Sequence, residues 1–186
     1  MDAFLASFTA VAIAEIGDKT QLLSLFLAAR FRSRLAIIAG ILVATLLNHA
    51  ASAWLGVWVA QFIPAGWQGW LLGGSFIVVA LWLLIPDKDD SEDGAMLKFG
   101  AFTASCLLFF LAEIGDKTQI ATVILAATFE DAIWWVIWGT TIGMLAANVP
   151  VVYAGSWLME KISLDWARRA ACGIFMLLGV ITIIHY

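Results

Sequence analysis

Six long apolar runs divide the chain. They extend from about Phe4 to Ala29, Leu35 to Ile63, Trp67 to Ile85, Leu97 to Thr128, Ala132 to Met159 and Ala167 to Ile184. Each is near or above the ~20 residues that a helix needs to cross a bilayer. Short polar breaks separate them: Arg30-Phe31-Arg32-Ser33-Arg34, Pro64-Ala65-Gly66, and a hydrophilic stretch from Pro86 to Gly94 that carries five acids and Lys88. The pattern predicts an all-α polytopic membrane protein with six transmembrane helices. Composition agrees, since 63% of the 186 residues are hydrophobic, against about 45–50% in soluble domains.

The first and fourth runs are interrupted by the same eight letters. Ala14-Glu15-Ile16-Gly17-Asp18-Lys19-Thr20-Gln21 recurs as Ala112-Glu113-Ile114-Gly115-Asp116-Lys117-Thr118-Gln119. The chain therefore divides into two related three-helix repeats, 1–86 and 97–186, joined by an acidic linker over 87–96. Lys and Arg set the orientation. Outside the motifs they are Arg30, Arg32, Arg34, Lys88, Lys98, Lys161, Arg168 and Arg169, all at the breaks after the first, third and fifth runs. Those loops are expected to be cytoplasmic, with both termini outside. Trp67, Trp70, Trp134, Trp135 and Trp138 would then mark the outer boundary, and Trp82, Trp157 and Trp166 the inner one. Three spans per repeat is an odd number, so the second repeat must insert upside down. Inverted-topology repeats are the layout of many secondary transporters.

The motifs bring charge into the apolar interior. An ionisable group at mid-bilayer costs about 2.5–3.5 kcal/mol on insertion scales, and six of them sit here: Glu15, Asp18, Lys19, Glu113, Asp116 and Lys117. Four carboxylates and two ammoniums leave two net negative charges, which a divalent cation would cancel. Glu and Asp three positions apart lie on neighbouring parts of one helix face. Two such pairs offer up to four hard oxygen ligands, a donor set that suits Mg, Ca or Mn. A salt-bridge lock between the halves would not need the two extra acids.

Gly17 and Gly115 are expected to loosen each helix between its carboxylates. Thr20, Thr118, Gln21 and Gln119 add neutral oxygens, the glutamines either as ligands, which requires local unwinding, or as interhelical hydrogen bonders. Lys19 and Lys117 either pair with a carboxylate or reach toward water. Asn48 and Asn148, in the second and fifth runs, either complete the metal shell or join helices. Pro150 follows Asn148 and removes a helix hydrogen bond. His49 has no counterpart after Asn148, and packing or a minor proton relay is its expected role. Cys106 and Cys172 are expected to be packing residues. A net charge of −4 gives no basic footprint for nucleic acid.

Glu15-Gly17-Asp18-Lys19-Thr20 and Glu113-Gly115-Asp116-Lys117-Thr118, in a six-run chain of this size, resemble the cation/proton antiporter family that includes Golgi manganese and calcium transporters and bacterial manganese exporters. The likeness covers the whole chain, and its compact length is similar to the bacterial exporters. It implies a metal site at Glu15, Asp18, Glu113 and Asp116, outward movement of Mn2+ (with Ca2+ the other candidate) against protons, and residence in a bacterial inner membrane. It implies no catalytic residue and no resident cofactor. On the residues alone, carriage of a small organic cation or amino acid, an intramembrane metalloenzyme and a channel remain the alternatives.

Overall fold

The computed structural model describes residues 2–85, 98–155 and 164–185; the predicted linker, with its acids and Lys88, and also Trp157 and Lys161, lie outside them. Every regular element among the described residues is helical. They are α1 (Ala3–Ala14), α2 (Lys19–Arg30), α3 (Arg34–Ala60), α4 (Gln68–Leu83), α5 (Ala101–Glu113), α6 (Lys117–Thr128), α7 (Ile133–Ala154) and α8 (Leu164–His185), with 3-10 turns at Ala65–Trp67 and Glu130–Ala132. Among the described residues, three stretches are long and apolar enough to cross a membrane: Arg34–Ala60, Glu130–Ala154 and Asp165–His185.

The first and fourth apolar runs are not continuous helices, which corrects the expectation of one helix per run. Each is two half-helices with the motif at the break. Gly17 and Gly115 adopt φ of +82° and +76°, a left-handed conformation that glycine enters without steric penalty and that ends helices. Asp18 and Asp116 follow with extended backbone at the N-caps of α2 and α6. The Asp116 side chain accepts from the Thr118 amide, the usual service of an N-cap aspartate. So the motif stops one helix and starts another within four residues. Pro150, by contrast, does not break its helix, and α7 runs through it to Ala154.

The element order α1-α2-α3-α4 repeats as α5-α6-α7-α8, and the two sets exchange partners. α1 packs along α7, α5 packs along α3, and α4 packs along α8. The two crossings match in detail. A Cβ on Gly40 of α3 would lie 2.6 Å from the Phe102 carbonyl oxygen of α5, and one on Gly139 of α7 would lie 2.7 Å from the Phe4 carbonyl oxygen of α1. Only a bare backbone permits that approach.

Two main apolar cores result among the described residues, beside a small cluster of Ala60, Leu72 and Ala127. The larger gathers Ala6 and Ala10 of α1, Ala53 of α3, Phe76 of α4, Leu125 of α6, Ile137 of α7 and Phe175 of α8. The smaller gathers Leu27 of α2, Ile37 and Ile41 of α3, Leu108 and Phe109 of α5, and Val152 of α7. Between them runs a buried polar layer. On α3, Thr45, Asn48, His49 and Ser52 fall between Ala44 of one core and Ala53 of the other. On α7, Thr140, Thr141 and Asn148 do the same. The helix breaks open into this layer. Outward-facing surfaces remain apolar, with Leu35, Trp70, Trp134 and Ile184 all well exposed.

Gly139→Ala should lower the melting temperature of the detergent-solubilised protein by about 3–10 °C, the span of a 1–3 kcal/mol overpacking penalty in a chain of this size. Gly74→Ala, where a Cβ meets nothing within 4 Å, should melt with the parent. Equal melting of both variants, followed by tryptophan fluorescence, would remove the close-approach argument.

Candidate metal centre

Four half-helix ends meet in the polar layer. α2 and α6 present their N-termini, where partial positive charge favours carboxylates, and α1 and α5 end there with backbone carbonyls. The glutamines hold the breaks together. The Gly17 amide donates to Gln21 Oε1 at 2.9 Å, and the Gly115 amide donates to Gln119 Oε1 at 2.6 Å. Each glutamine thus satisfies the amide of a left-handed glycine, in a variant of the capping box. Gln21 Nε2 also donates to the Ala147 carbonyl of α7 at 2.9 Å. Their oxygens thus accept from the backbone at the two breaks.

The structure gathers three of the four motif acids. Glu15, Asp18 and Asp116 each offer an oxygen within 4.8 Å of the others, and all are buried, at 0%, 8% and 5% exposure. Lys19 Nζ lies 3.3 Å from Asp116 Oδ1, an ion pair between the two motif copies. Thr20 Oγ1 donates to Glu15 Oε2, and Thr118 Oγ1 donates to Asp116 Oδ2 at 3.1 Å. Glu15 Oε1 is buried with no hydrogen-bond partner among the described residues. An ionised oxygen in that condition is expensive to bury unless a cation or proton meets it.

Glu113 stands beside this group rather than in it. Its Oε1 accepts from Thr45 Oγ1 of α3 at 3.0 Å, and its Oε2 faces His49 Nε2 at 3.5 Å. Lys117 donates to the Ile85 carbonyl, just past α4, at 2.6 Å. The duplicated glutamates are not placed alike: Glu15 joins Asp18 and Asp116, whereas Glu113 faces Thr45 and His49.

Asn148 lies in a hydrogen-bonded network: its Oδ1 accepts from Ser24 Oγ at 2.8 Å, and its Nδ2 donates to the Met144 carbonyl at 3.1 Å. Asn48 Nδ2 donates to the Phe110 carbonyl near the end of α5 at 3.0 Å. Both asparagines tie the long helices to the broken ones. Ser24 and Thr45 are polar neighbours of the site outside the motif, and His49, expected as packing or a minor proton relay, faces Glu113. The helical spacing of Thr45, Asn48, His49 and Ser52, polar residues on one face of an apolar run, was the available signal.

A cleft reaches the acids. Gly17, Asp18, Asp116 and Thr118 line it together with Leu83 of α4 and Arg168 of α8. Leu83 is the last residue of α4 and Arg168 lies in the first turns of α8, so the cleft lies toward that end of the α4–α8 pair.

Comparison with known proteins places this geometry in context. A protein of Vibrio cholerae, provisionally named a manganese exporter, is 53% identical over 182 residues, covering 98% of this chain and 90% of that protein. A GDT1-like protein of Synechocystis is 27% identical, over 98% of this chain and 97% of that protein. GDT1-like protein 3 of Oryza sativa is 30% identical, over 87% and 66%. No solved structure is significantly similar. The family model for the divalent cation/proton antiporter GDT1 matches residues 3–91 and 101–186, nearly the whole chain. The chain therefore belongs to the GDT1 family of divalent cation/proton antiporters, which are transporters and not enzymes.

Proposed function

We propose that this chain exports a divalent cation, Mn2+ by preference, from the cytoplasm in exchange for protons. It does so as two inverted repeats, 1–86 and 97–186, each of three spans of which the first is broken, crossing the membrane six times with both termini outside. The observation that carries the reading is the meeting of Glu15 and Asp18 with Asp116, acids of opposite repeats, at facing helix breaks within 4.8 Å. Carboxylates in this number suit a hard divalent ion, and the manganese export named for the Vibrio cholerae relative favours Mn2+ over Ca2+.

The mechanism follows from the layering. The metal enters by the cleft beside Leu83 and Arg168, on the side that the distribution of Lys and Arg assigns to the cytoplasm. Its two positive charges balance Glu15, Asp18 and Asp116 against Lys19, with Glu113 close by. The larger apolar core, built from α1, α4, α6 and α8 with parts of α3 and α7, closes the path outward in this arrangement. Rocking of one repeat against the other opens that side and closes the cleft. Protons then replace the metal on the carboxylates, so the buried layer never returns with uncompensated charge. Gln21, Gln119, Asn48, Asn148, Thr20 and Thr118 hold the broken helices in register throughout.

In proteoliposomes with a pH gradient, Glu15→Gln, Asp18→Asn and Asp116→Asn should each cut Mn2+ flux at least ~10-fold, as expected when a metal ligand or its immediate support is lost. Undiminished flux in all three would place the site elsewhere, and amino acids displacing bound metal would favour an organic substrate. Metal binding must also release protons, because the ligands bind deprotonated. Calorimetric titrations with Mn2+ in two buffers of different ionisation enthalpy should therefore give different apparent heats, and affinity should weaken as pH falls. Equal heats and a pH-independent affinity would contradict proton exchange at these carboxylates.

A further inference from the structure

The two motif copies are identical, but the helices facing them are not. Asn48 of α3 is followed by His49, whereas Asn148 of α7 is followed by Val149. His49 is fully buried, and neither ring nitrogen has a hydrogen-bond partner among the described residues. Its Nε2 lies 3.5 Å from Glu113 Oε2, which is also buried without a hydrogen-bond partner. A neutral imidazole has one N–H and one lone pair, and buried polar groups in native proteins are rarely left without partners. An imidazole nitrogen and a carboxylate oxygen at that separation, both unsatisfied and both in the polar layer, have the spacing of two adjacent ligands of one ion.

We infer that His49 is a nitrogen ligand of the transported metal, entering alongside Glu113, and that it makes the site selective for first-row transition ions over Ca2+ and Mg2+. The inference rests on the divalent-cation reading above and deepens it. The motif carboxylates and hydroxyls offer oxygens, which serve Ca2+, Mg2+ and Mn2+ alike. An imidazole nitrogen adds affinity for transition ions and little for the alkaline earths. A single histidine on one side of a duplicated site is thus enough to break a tie that the carboxylates leave open. It also gives Glu113 a separate function from Glu15: Thr45 orients one of its oxygens and leaves the other directed at the imidazole.

The test uses the untagged full-length protein, whose only histidines are His49 and His185. Electron spin-echo spectroscopy of the Mn2+-loaded protein should show coupling to an imidazole 14N, and His49→Asn should abolish it while His185→Asn leaves it intact. In parallel, His49→Asn and His49→Gln should weaken Mn2+ binding about 10-fold or more and leave Ca2+ binding within about two-fold. Retained Ca2+ binding also reports that the variants fold. Mn2+ bound to the wild-type protein without nitrogen coupling would overturn this inference and leave the antiporter reading standing. Parallel loss of Mn2+ and Ca2+ binding in both variants would overturn it as well, in favour of a packing role. A wild-type protein that binds no divalent ion would sink both.

Discussion

Everything in this fold answers to the cost of holding carboxylates away from water. A buried anion without a partner is far more expensive than any single apolar contact is favourable. The chain meets that cost by placing Asp18 and Asp116 at the N-caps of two half-helices, by turning the Thr20 hydroxyl onto Glu15 at the end of α1, and by drawing Lys19 across from the first repeat to the acid of the second. These provisions offset part of the charge and leave room for more positive charge. In the proposed exchange that remainder is met by a small, hard, doubly positive cargo or by protons in its place, and the coupling of the two follows from this one constraint.

The break in each motif helix is what makes the constraint useful. An unbroken helix would satisfy its own backbone and offer only side chains. Breaking it at a glycine with positive φ brings two caps, four half-helix ends and both acids of a motif to one depth. The glutamine three residues beyond the aspartate then satisfies the glycine amide, so the break is a fixed element and not a weak point. Apolar cores lie on either side of the charges, and in the proposed mechanism they part on one side at a time. The larger core draws on α4 and α8 and the smaller one does not. The molecule is therefore not symmetric in this conformation, although its sequence repeats.

Much of this was legible in the chain. The duplication, the apolar runs and the four acids are visible as letters, and the long helices α3 and α7 begin within two residues of their expected starts. The breaks were not foreseen, although Gly-Asp-x-x-Gln is a helix stop followed by a helix start. The apolar residues on both sides of the motif read as one continuous run, and hydropathy does not register a left-handed glycine. The separation of Glu113 from the other three acids was beyond reach altogether. It depends on Thr45 and His49, which lie more than sixty positions away in sequence and meet Glu113 only because α5 packs on the opposite repeat's long helix. Local pattern fixes what each segment is, whereas the exchange of partners between repeats decides which side chains share a pocket.

The most direct measurement is anomalous scattering at the manganese edge from crystals of the protein grown with Mn2+. The account predicts one dominant peak in the polar layer, within coordination distance of Glu15, Asp18 and Asp116. A protein that takes up Mn2+ with its peak elsewhere, such as on the acidic stretch between the repeats, and with the motif carboxylates paired only to one another, would contradict it.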